Sequence, residues 1–188
     1  MKKVKISSPT SKGCVEVLNL QIRNHKAYLD PKEQKRGFVT LLTPSDYLQY
    51  INHDGQVLLA RYSEGEFKGM PAGYLISVDM ESASSHPFLA QFAMDIYNDG
   101  YLHFVIIAQI GVARREVGAR SGIGTQLYTY FFEKIIPYTN FDWVITEVSV
   151  NNLKSYNFHL KMKFIELERY DDSFGNEMIM LGRKVNVE

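Results

Sequence analysis

Hydrophobic and polar positions follow two different periods along the chain, and the switches between them divide it into elements. Residues 3–7 predict a first strand; Val15, Leu18, Ile22 and Leu29 then recur at near-helical spacing and predict a helix buried along that stripe. Thr43 before Pro44, with Asp46 three positions past the threonine, marks a second helix start: a side-chain cap, a first-turn proline and an acid near the positive end of the dipole. That helix is expected to end near Asn52, with His53, Asp54 and Gly55 as punctuation. Residues 57–62 and 72–78 read as two strands of an antiparallel hairpin, joined by the polar, glycine-containing loop 63–69.

The period changes again further on. Residues 86–96 are weakly helical, Asn98, Asp99 and Gly100 form a turn, and 102–112 is a β-rich run apolar on both faces, as expected of a central strand. Ser121 is placed to cap a helix in which Tyr128, Phe131, Phe132 and Ile135 share a core-facing stripe, with Pro137 at its end. Residues 142–150 predict a strand, 153–162 a helix, and 164–170 with 178–185 a final hairpin. This order predicts an α/β fold with a mixed central sheet of about six to seven strands and flanking helices, not a doubly wound parallel sheet. No repeat or linker interrupts it, so residues 1–188 are expected to form a single domain.

Composition narrows the chemistry. With 188 residues, 45% of them hydrophobic and 13% aromatic, the chain has ample material for a packed core. The 21 basic residues balance the 21 acidic ones, so there is no basic footprint for nucleic acid or a membrane surface. A lone Cys14 makes no intrachain disulfide, and five scattered histidines lack the paired spacing that zinc requires, so no metal is expected. The apolar stretch 104–113, with Gln109 inside it, is about half of the ~20 residues that span a bilayer. Lys2, Lys3 and Lys5 are not followed by an apolar run of the secretory kind, which makes the cytosol the expected compartment.

The segment from Val112 to Thr125 follows the buried strand and opens a helix, aiming backbone N–H groups and the positive end of a dipole at one spot. Gly122 and Gly124 remove Cβ atoms that would keep a pyrophosphate from the backbone, while Arg114, Arg115 and Arg120 offer cations to further phosphates. A phosphorylated cofactor is expected. A dinucleotide fingerprint would need a third glycine where Leu127 stands, and a Walker loop would need Gly-Lys-Ser/Thr, which is absent. The bland alternative is that both glycines simply let the helix pack close to the sheet.

Gly122, Ile123, Gly124 and Thr125 after a strand resemble the acyl-CoA loop of the GNAT acetyltransferases, usually Gln/Arg-x-x-Gly-x-Gly/Ala, with Ala119 at the first position and Arg120 beside it. The run from Thr146 to Phe164 looks like the other GNAT signature, a strand ending in Glu-Val, an Asn opening a helix, and a helix ending near Lys-x-Gly-Phe. The match covers Asn152, Ser155, His159, Lys161 and Phe164, with Lys163 where the family commonly has Gly and His159 where it very often has Tyr. The resemblance covers about residues 102–185. It implies a splayed acyl-CoA cleft and acetyl-CoA as cosubstrate. It further implies cofactor contacts at Ile110, Gly111, Val112, Arg120, Ser121, Gly122, Ile123, Gly124, Thr125, Asn152 and Ser155.

Acetyl transfer to an amine needs a base for the ammonium, whose pKa is near ~10, and benefits from an acid for the departing thiolate. Glu147 and His159 are the candidates; their separation is similar to that of the Glu and Tyr of acetyltransferases of ribosomal-protein N-termini. Each has a plain alternative: a solvated or ion-paired strand-edge carboxylate for Glu147, a packed or merely exposed histidine for His159. Asn152 is a pantetheine ligand, a helix cap or both, and Gln109 is a substrate ligand or a satisfied core amide. Residues 28–39, with Arg36, Gly37 and Phe38, and the insertion 79–101, with Asp79 and Glu81, are expected to wall the acceptor side. The expected acceptor is a small-molecule primary amine. Alternatives are a protein N-terminus or lysine, a CoA-binding regulatory module without catalysis, or an interaction protein using its exposed aromatics. Family analogy allows a homodimer.

Overall fold

A computed structural model of the chain describes residues 3–35, 37–39, 56–86, 89–113, 122–172 and 174–185. Among these, the strands are β1 (Val4–Ser7), β2 (Gln56–Tyr62), β3 (Pro71–Asp79), β4 (Phe104–Val112), β5 (Trp143–Ser149), β6 (Ile165–Asp171) and β7 (Glu177–Lys184). The helices are α1 (Ser11–Asn24), α2 (Pro31–Gln34), α3 (Met80–Ser84), α4 (Ala90–Asn98), α5 (Ile123–Lys134) and α6 (Leu153–Lys161). The strands form one seven-stranded sheet in the order β1-β2-β3-β4-β5-β7-β6, with the apolar run of β4 at its centre as its pattern predicts. Its neighbours pair antiparallel except β4 and β5, which run parallel. The predicted helix over 43–52 lies outside the described residues.

Each face of the sheet holds its own core. On one, Cys14, Val17 and Leu20 of α1 and Phe92, Ala93 and Ile96 of α4 cover Tyr74, Ile76 and Ile106. On the other, Ile123, Leu127, Tyr128 and Phe131 of α5 cover Leu75, Val105 and Val144, with Phe158 of α6 alongside. Each such large apolar side chain stabilises the fold by about 1.5–3 kcal/mol relative to exposure.

The stripe expected for α1 is not the one that is buried. Val15 and Ile22 are 57% and 41% exposed, whereas Cys14, Val17, Leu20, Gln21 and Asn24 face the sheet. Two apolar stripes fit the helical period, and the sheet chooses the one that ends in polar residues. Asn24 explains the choice: its Nδ2 donates to the Val112 carbonyl at 3.1 Å, pairing a backbone acceptor at the end of β4. The helix also stops at Asn24, so Leu29 is buried from beyond a short 3-10 turn, Lys26–Tyr28.

Helix α6 ends on Lys163, whose φ of 67° is in the left-handed region that glycine normally occupies. The N–H of Phe164 bonds the His159 carbonyl at 3.1 Å and that of Lys163 bonds the Leu160 carbonyl at 3.0 Å, the hydrogen-bond pattern of a Schellman cap. The apolar contact that accompanies such a cap is made here by the rings of His159 and Phe164, 5.3 Å apart.

Candidate active site

The parallel pair β4–β5 is a fork. Its ladder covers Phe104↔Trp143, Val105↔Val144 and Ile106↔Ile145, then stops, although β4 runs on to Val112 and β5 to Ser149. Two features open it. Ala108 is an extra residue in β4, because Ile76 pairs with Gln109 while Ser77 pairs with Ile107; a bulge of this kind bends the strand and puts Ala108 and Gln109 on one face. At the crotch, the Thr146 hydroxyl donates to the Ile107 carbonyl at 2.8 Å in place of the missing ladder bond. Gln109 turns back to accept from the Tyr74 hydroxyl at 3.0 Å while also lining the opening, so it is a satisfied amide at the cavity wall.

A cavity of about 240 Å³ occupies this opening. Glu147 of β5 and Tyr170 of β6 line it, as do Phe92 and Asp95 of α4, and Phe38 and Val39 before it in the chain. The Tyr170 hydroxyl donates to Glu147, and the Tyr170 ring lies parallel to that of Phe92, 6.2 Å between centroids at 15°. Burial pushes the Glu147 carboxyl above the ordinary carboxylate range; the bond from Tyr170 pulls it back down and the charge of Asp172 adds to the rise. Tyr170 is itself held protonated, by burial first and then by the charge of Glu147.

His159 also borders the cavity but is engaged elsewhere. It is 2% exposed, and its ring lies among Tyr128, Phe158 and Phe164 at 5.3–5.6 Å. Nδ1 stands 2.8 Å from the Ser155 carbonyl, an acceptor only, so the ring proton is assigned to Nδ1, and Nε2 accepts from the Tyr128 hydroxyl at 2.9 Å. Burial pulls its pKa down to about 4, so the imidazole is neutral at pH 7. Ser155 Oγ, 3.4 Å from the same Nδ1, also borders the cavity. Asn152 serves as the helix cap, accepting from the Ser155 N–H at 3.3 Å, and as a tether, its Nδ2 donating to the Phe38 carbonyl at 3.0 Å.

The glycine turn is described from Gly122 onward; Arg114, Arg115, Arg120 and Ser121 lie outside the described residues. The cap position of α5 is Gly122, not Ser121, with φ 71° and no side-chain cap bond. Its left-handed backbone favours glycine. Gly124 has a different reason: a Cβ there would stand 3.0 Å from the Phe158 ring, so this glycine serves helix packing. Ile123 is buried in the core while Thr125 is exposed. Of the three β4 residues expected at the acyl group, Ile110 lines the cavity, Gly111 lies against the Tyr74 ring, and the Val112 carbonyl is taken by Asn24.

Two acceptor-side expectations shift. Asp79 caps α3, its Oδ1 accepting from the Ser82 N–H at 2.8 Å, and Glu81 is exposed; neither lines the cavity. Their insertion reaches the cavity instead through His86, Leu89, Gln91, Phe92 and Asp95. Phe38 arrives as expected, and Arg36 is outside the described residues. Tyr170 and Asp95 were not legible as site residues. A second bulge puts Tyr170 there: Glu166 pairs with Leu181 and Glu168 with Met180, so Leu167 is extra and simple alternation assigns Tyr170 to the wrong face.

No protein-family model matches the sequence, and no curated protein matches it by sequence. Solved structures match it by fold. The ribosomal-protein-S18-alanine N-acetyltransferase of Escherichia coli superposes with a TM-score of 0.64 at 11% identity, over 99% of this chain and 96% of that one. A chain of the NatC complex bound to Gag peptide and CoA gives 0.67 at 14%, over 98% and 99%. Arabidopsis thaliana NAA60, solved with a bisubstrate analogue, gives 0.67 at 12%, over 98% and 99%. The fold is that of the GNAT acetyltransferases. The mixed seven-stranded sheet and the β4–β5 fork are thus the architecture that the glycine turn and the Asn152–Phe164 segment imply. Among the described residues, no helix is long and apolar enough to cross a membrane, and no group of three or more His, Cys, Asp or Glu is arranged to hold a metal.

Proposed function

We propose that this protein is an N-acetyltransferase that moves an acetyl group from acetyl-CoA to a primary amine by direct attack within a ternary complex. The observation that carries the reading is the forked β4–β5 pair with Glu147 lining the cavity between its arms. Bound acetyl-CoA would supply an activated acetyl thioester. The β4 edge from Ile110 to Val112, past the end of the ladder, would offer backbone groups to the thioester carbonyl, and the N–H groups at the start of α5, Gly122 to Thr125, would face the pyrophosphate with Arg120 and Ser121. Asn152 is committed to its cap and tether, so Ser155 is the better polar contact for the arm of the cofactor.

Glu147 takes the proton from the ammonium of the acceptor, and its raised pKa suits a base working near neutrality. The amine nitrogen then bonds to the acetyl carbon and the carbon–sulfur bond breaks; the second proton, which that nitrogen sheds as the amide forms, passes to the departing thiolate, so the products are the amide and CoA thiol, and Glu147 returns its own proton to solvent. His159 holds no ready proton for that step, because its N–H points at the Ser155 carbonyl and the ring stays neutral; we give it the role of fixing Ser155 and Tyr128. Asp95, Asp171 and Asp172 border the same cavity, with Lys26 the one cation among its described lining residues, which favours a positively charged acceptor. The volume is below the ~300–1,000 Å³ of drug-sized pockets and suits a short amine, acting in the cytosol.

Thermal unfolding with acetyl-CoA, CoA, ATP and NAD in separate samples tests the cofactor class, since a ligand at ~100 times its dissociation constant adds about 2.7 kcal/mol. Stabilisation by both CoA species but not by ATP or NAD is expected, followed by amine-dependent release of CoA thiol. No shift with either CoA species overturns the reading; a shift without turnover on any amine favours a CoA-binding regulatory module. A polypeptide N-terminus is the second acceptor to screen, because similar folds include an S18-alanine N-acetyltransferase and a complex solved with Gag peptide.

A further inference from the structure

Glu147 and Tyr170 come from strands that are not neighbours: β5 pairs with β7, and β7 with β6. Their side chains nevertheless meet on the cavity side of the sheet, where the bulge at Leu167 turns Tyr170 inward and the ring of Phe92 supports it from α4. A phenol needs no such placement merely to fill a core, because a buried Tyr and a buried Phe differ only in the hydroxyl, and here that hydroxyl is spent on the carboxylate.

We propose that Tyr170 is the positioning residue for Glu147: its hydroxyl holds one carboxylate oxygen and leaves the other to accept the proton of the acceptor's ammonium. The assignment rests on the acetyltransferase reading for its role in catalysis, although the pair itself is testable without it. The proton passes from the ammonium nitrogen to the free carboxylate oxygen, giving a neutral amine and a neutral acid, and the phenol keeps its own proton throughout. Fixing one oxygen removes the rotation that would otherwise let the carboxylate turn away from the amine. The donated bond also favours the ionised base, against the burial that opposes it.

Other charged and titratable groups line the same cavity. Asp171 and Asp172 stand at the end of β6, Asp95 on α4 and His86 ahead of it, His159 on α6, and Lys26 beyond α1. Asp172 is tied into the hairpin turn, accepting from the N–H groups of Phe174 and Asn176 at 2.9 and 2.8 Å, so its charge is fixed in place. The hydrogen bond to Glu147 comes from Tyr170.

The decisive measurement is the titration midpoint of the Glu147 carboxyl, followed by carbon NMR in protein labelled at glutamate and assigned with Glu147→Gln. Tyr170→Phe is expected to raise the midpoint by about one pH unit, the size of a lost hydrogen bond to a charged group. Replacing Tyr170 with a fluorinated tyrosine, a stronger donor of the same shape, is expected to lower it, and this covers the case in which the phenylalanine variant folds poorly. In turnover assays the acid limb of kcat/KM moves with the midpoint while KM for acetyl-CoA stays put. A midpoint unchanged in both variants, with only a lower Tm for Tyr170→Phe, overturns the proposal. Absence of CoA binding and turnover in the wild type sinks the acetyltransferase reading instead, and leaves the midpoint to decide the pair.

Discussion

Glu147 and His159 satisfy the same sequence signature, yet their surroundings differ. Glu147 lies with Tyr170, Phe92 and three aspartates around the cavity; His159 borders the same cavity, but its ring is packed among Tyr128, Phe158 and Phe164. Burial raises the pKa of the acid and lowers that of the base, so both drift toward their neutral forms, but with different consequences. A carboxylate with a raised pKa becomes a better base near neutrality, whereas an imidazole held near 4 with both nitrogens bonded is withdrawn from proton traffic. On the proposed reading, one kind of burial thus makes Glu147 a base and His159 a structural group.

The sharpest way to break this contrast is to remove each group in turn. Glu147→Gln keeps size and shape and should lower kcat/KM by ~10²–10⁴-fold, the usual worth of a general base, with acetyl-CoA binding by thermal shift unchanged. His159→Phe should leave kcat within about tenfold of wild type and act on stability. It strands the buried Tyr128 hydroxyl, at a cost of about 1–3 kcal/mol. An equal loss of turnover in both variants would collapse the distinction between the two groups.

A pH series separates them further. The folded-state pKa of His159 is lowered from 6.5 to about 4, so its neutral form contributes fully above 6.5 and the contribution is lost as pH falls from there through about 4, where the unfolded chain has already taken up the proton. The whole effect is on the order of 3 kcal/mol. Urea unfolding of wild type and His159→Phe should therefore show a stability difference that shrinks between pH 7 and pH 4. Glu147 titrates in both proteins and cancels in the comparison. A difference that stays constant with pH would mean that the imidazole is not held neutral.

Much of this architecture was legible in the sequence because local patterns and tertiary demands agree. The β-rich run through Ile107 is central in the sheet, and the glycine turn opens α5 at Gly122. Where they disagree, a single residue or a long-range partner decides. Ala108 and Leu167 each add one residue to a strand, and that reverses the parity on which any reading of faces depends, concealing Tyr170. Helix α1 offers two apolar stripes of the same period, and the bond from Asn24 to the end of β4 is invisible from the helix alone. Asp95 sits on α4 without a motif of any kind and acquires a place in the site only when the insertion folds over the fork.

Asp95 gives a smaller test of the cavity side. If the carboxylates around Glu147 attract the acceptor, Asp95→Asn should raise KM for a cationic amine by about five- to tenfold and leave kcat nearly unchanged, with the effect weakening as salt is added. Equal KM values in the two proteins at low salt would confine recognition to Glu147 and the aromatic walls.

Lys163 provides the smallest and cleanest test of the packing around His159. It holds φ 67° at the end of α6, where the family pattern commonly has glycine, and a side chain in that region costs about 1 kcal/mol. The hydrogen bonds from Phe164 to His159 and from Lys163 to Leu160 are made by the backbone and survive a change of side chain. Lys163→Gly should therefore stabilise the fold by slightly under that amount, since glycine also gains freedom in the unfolded chain, and raise Tm by about 2–4 °C for a chain of this size. Because the cap anchors His159 rather than Glu147, kcat should not change. A gain in stability accompanied by a fall in turnover would show that the C-terminal end of α6 communicates with the cavity, and that Glu147 and His159 are less independent than the packing around His159 indicates.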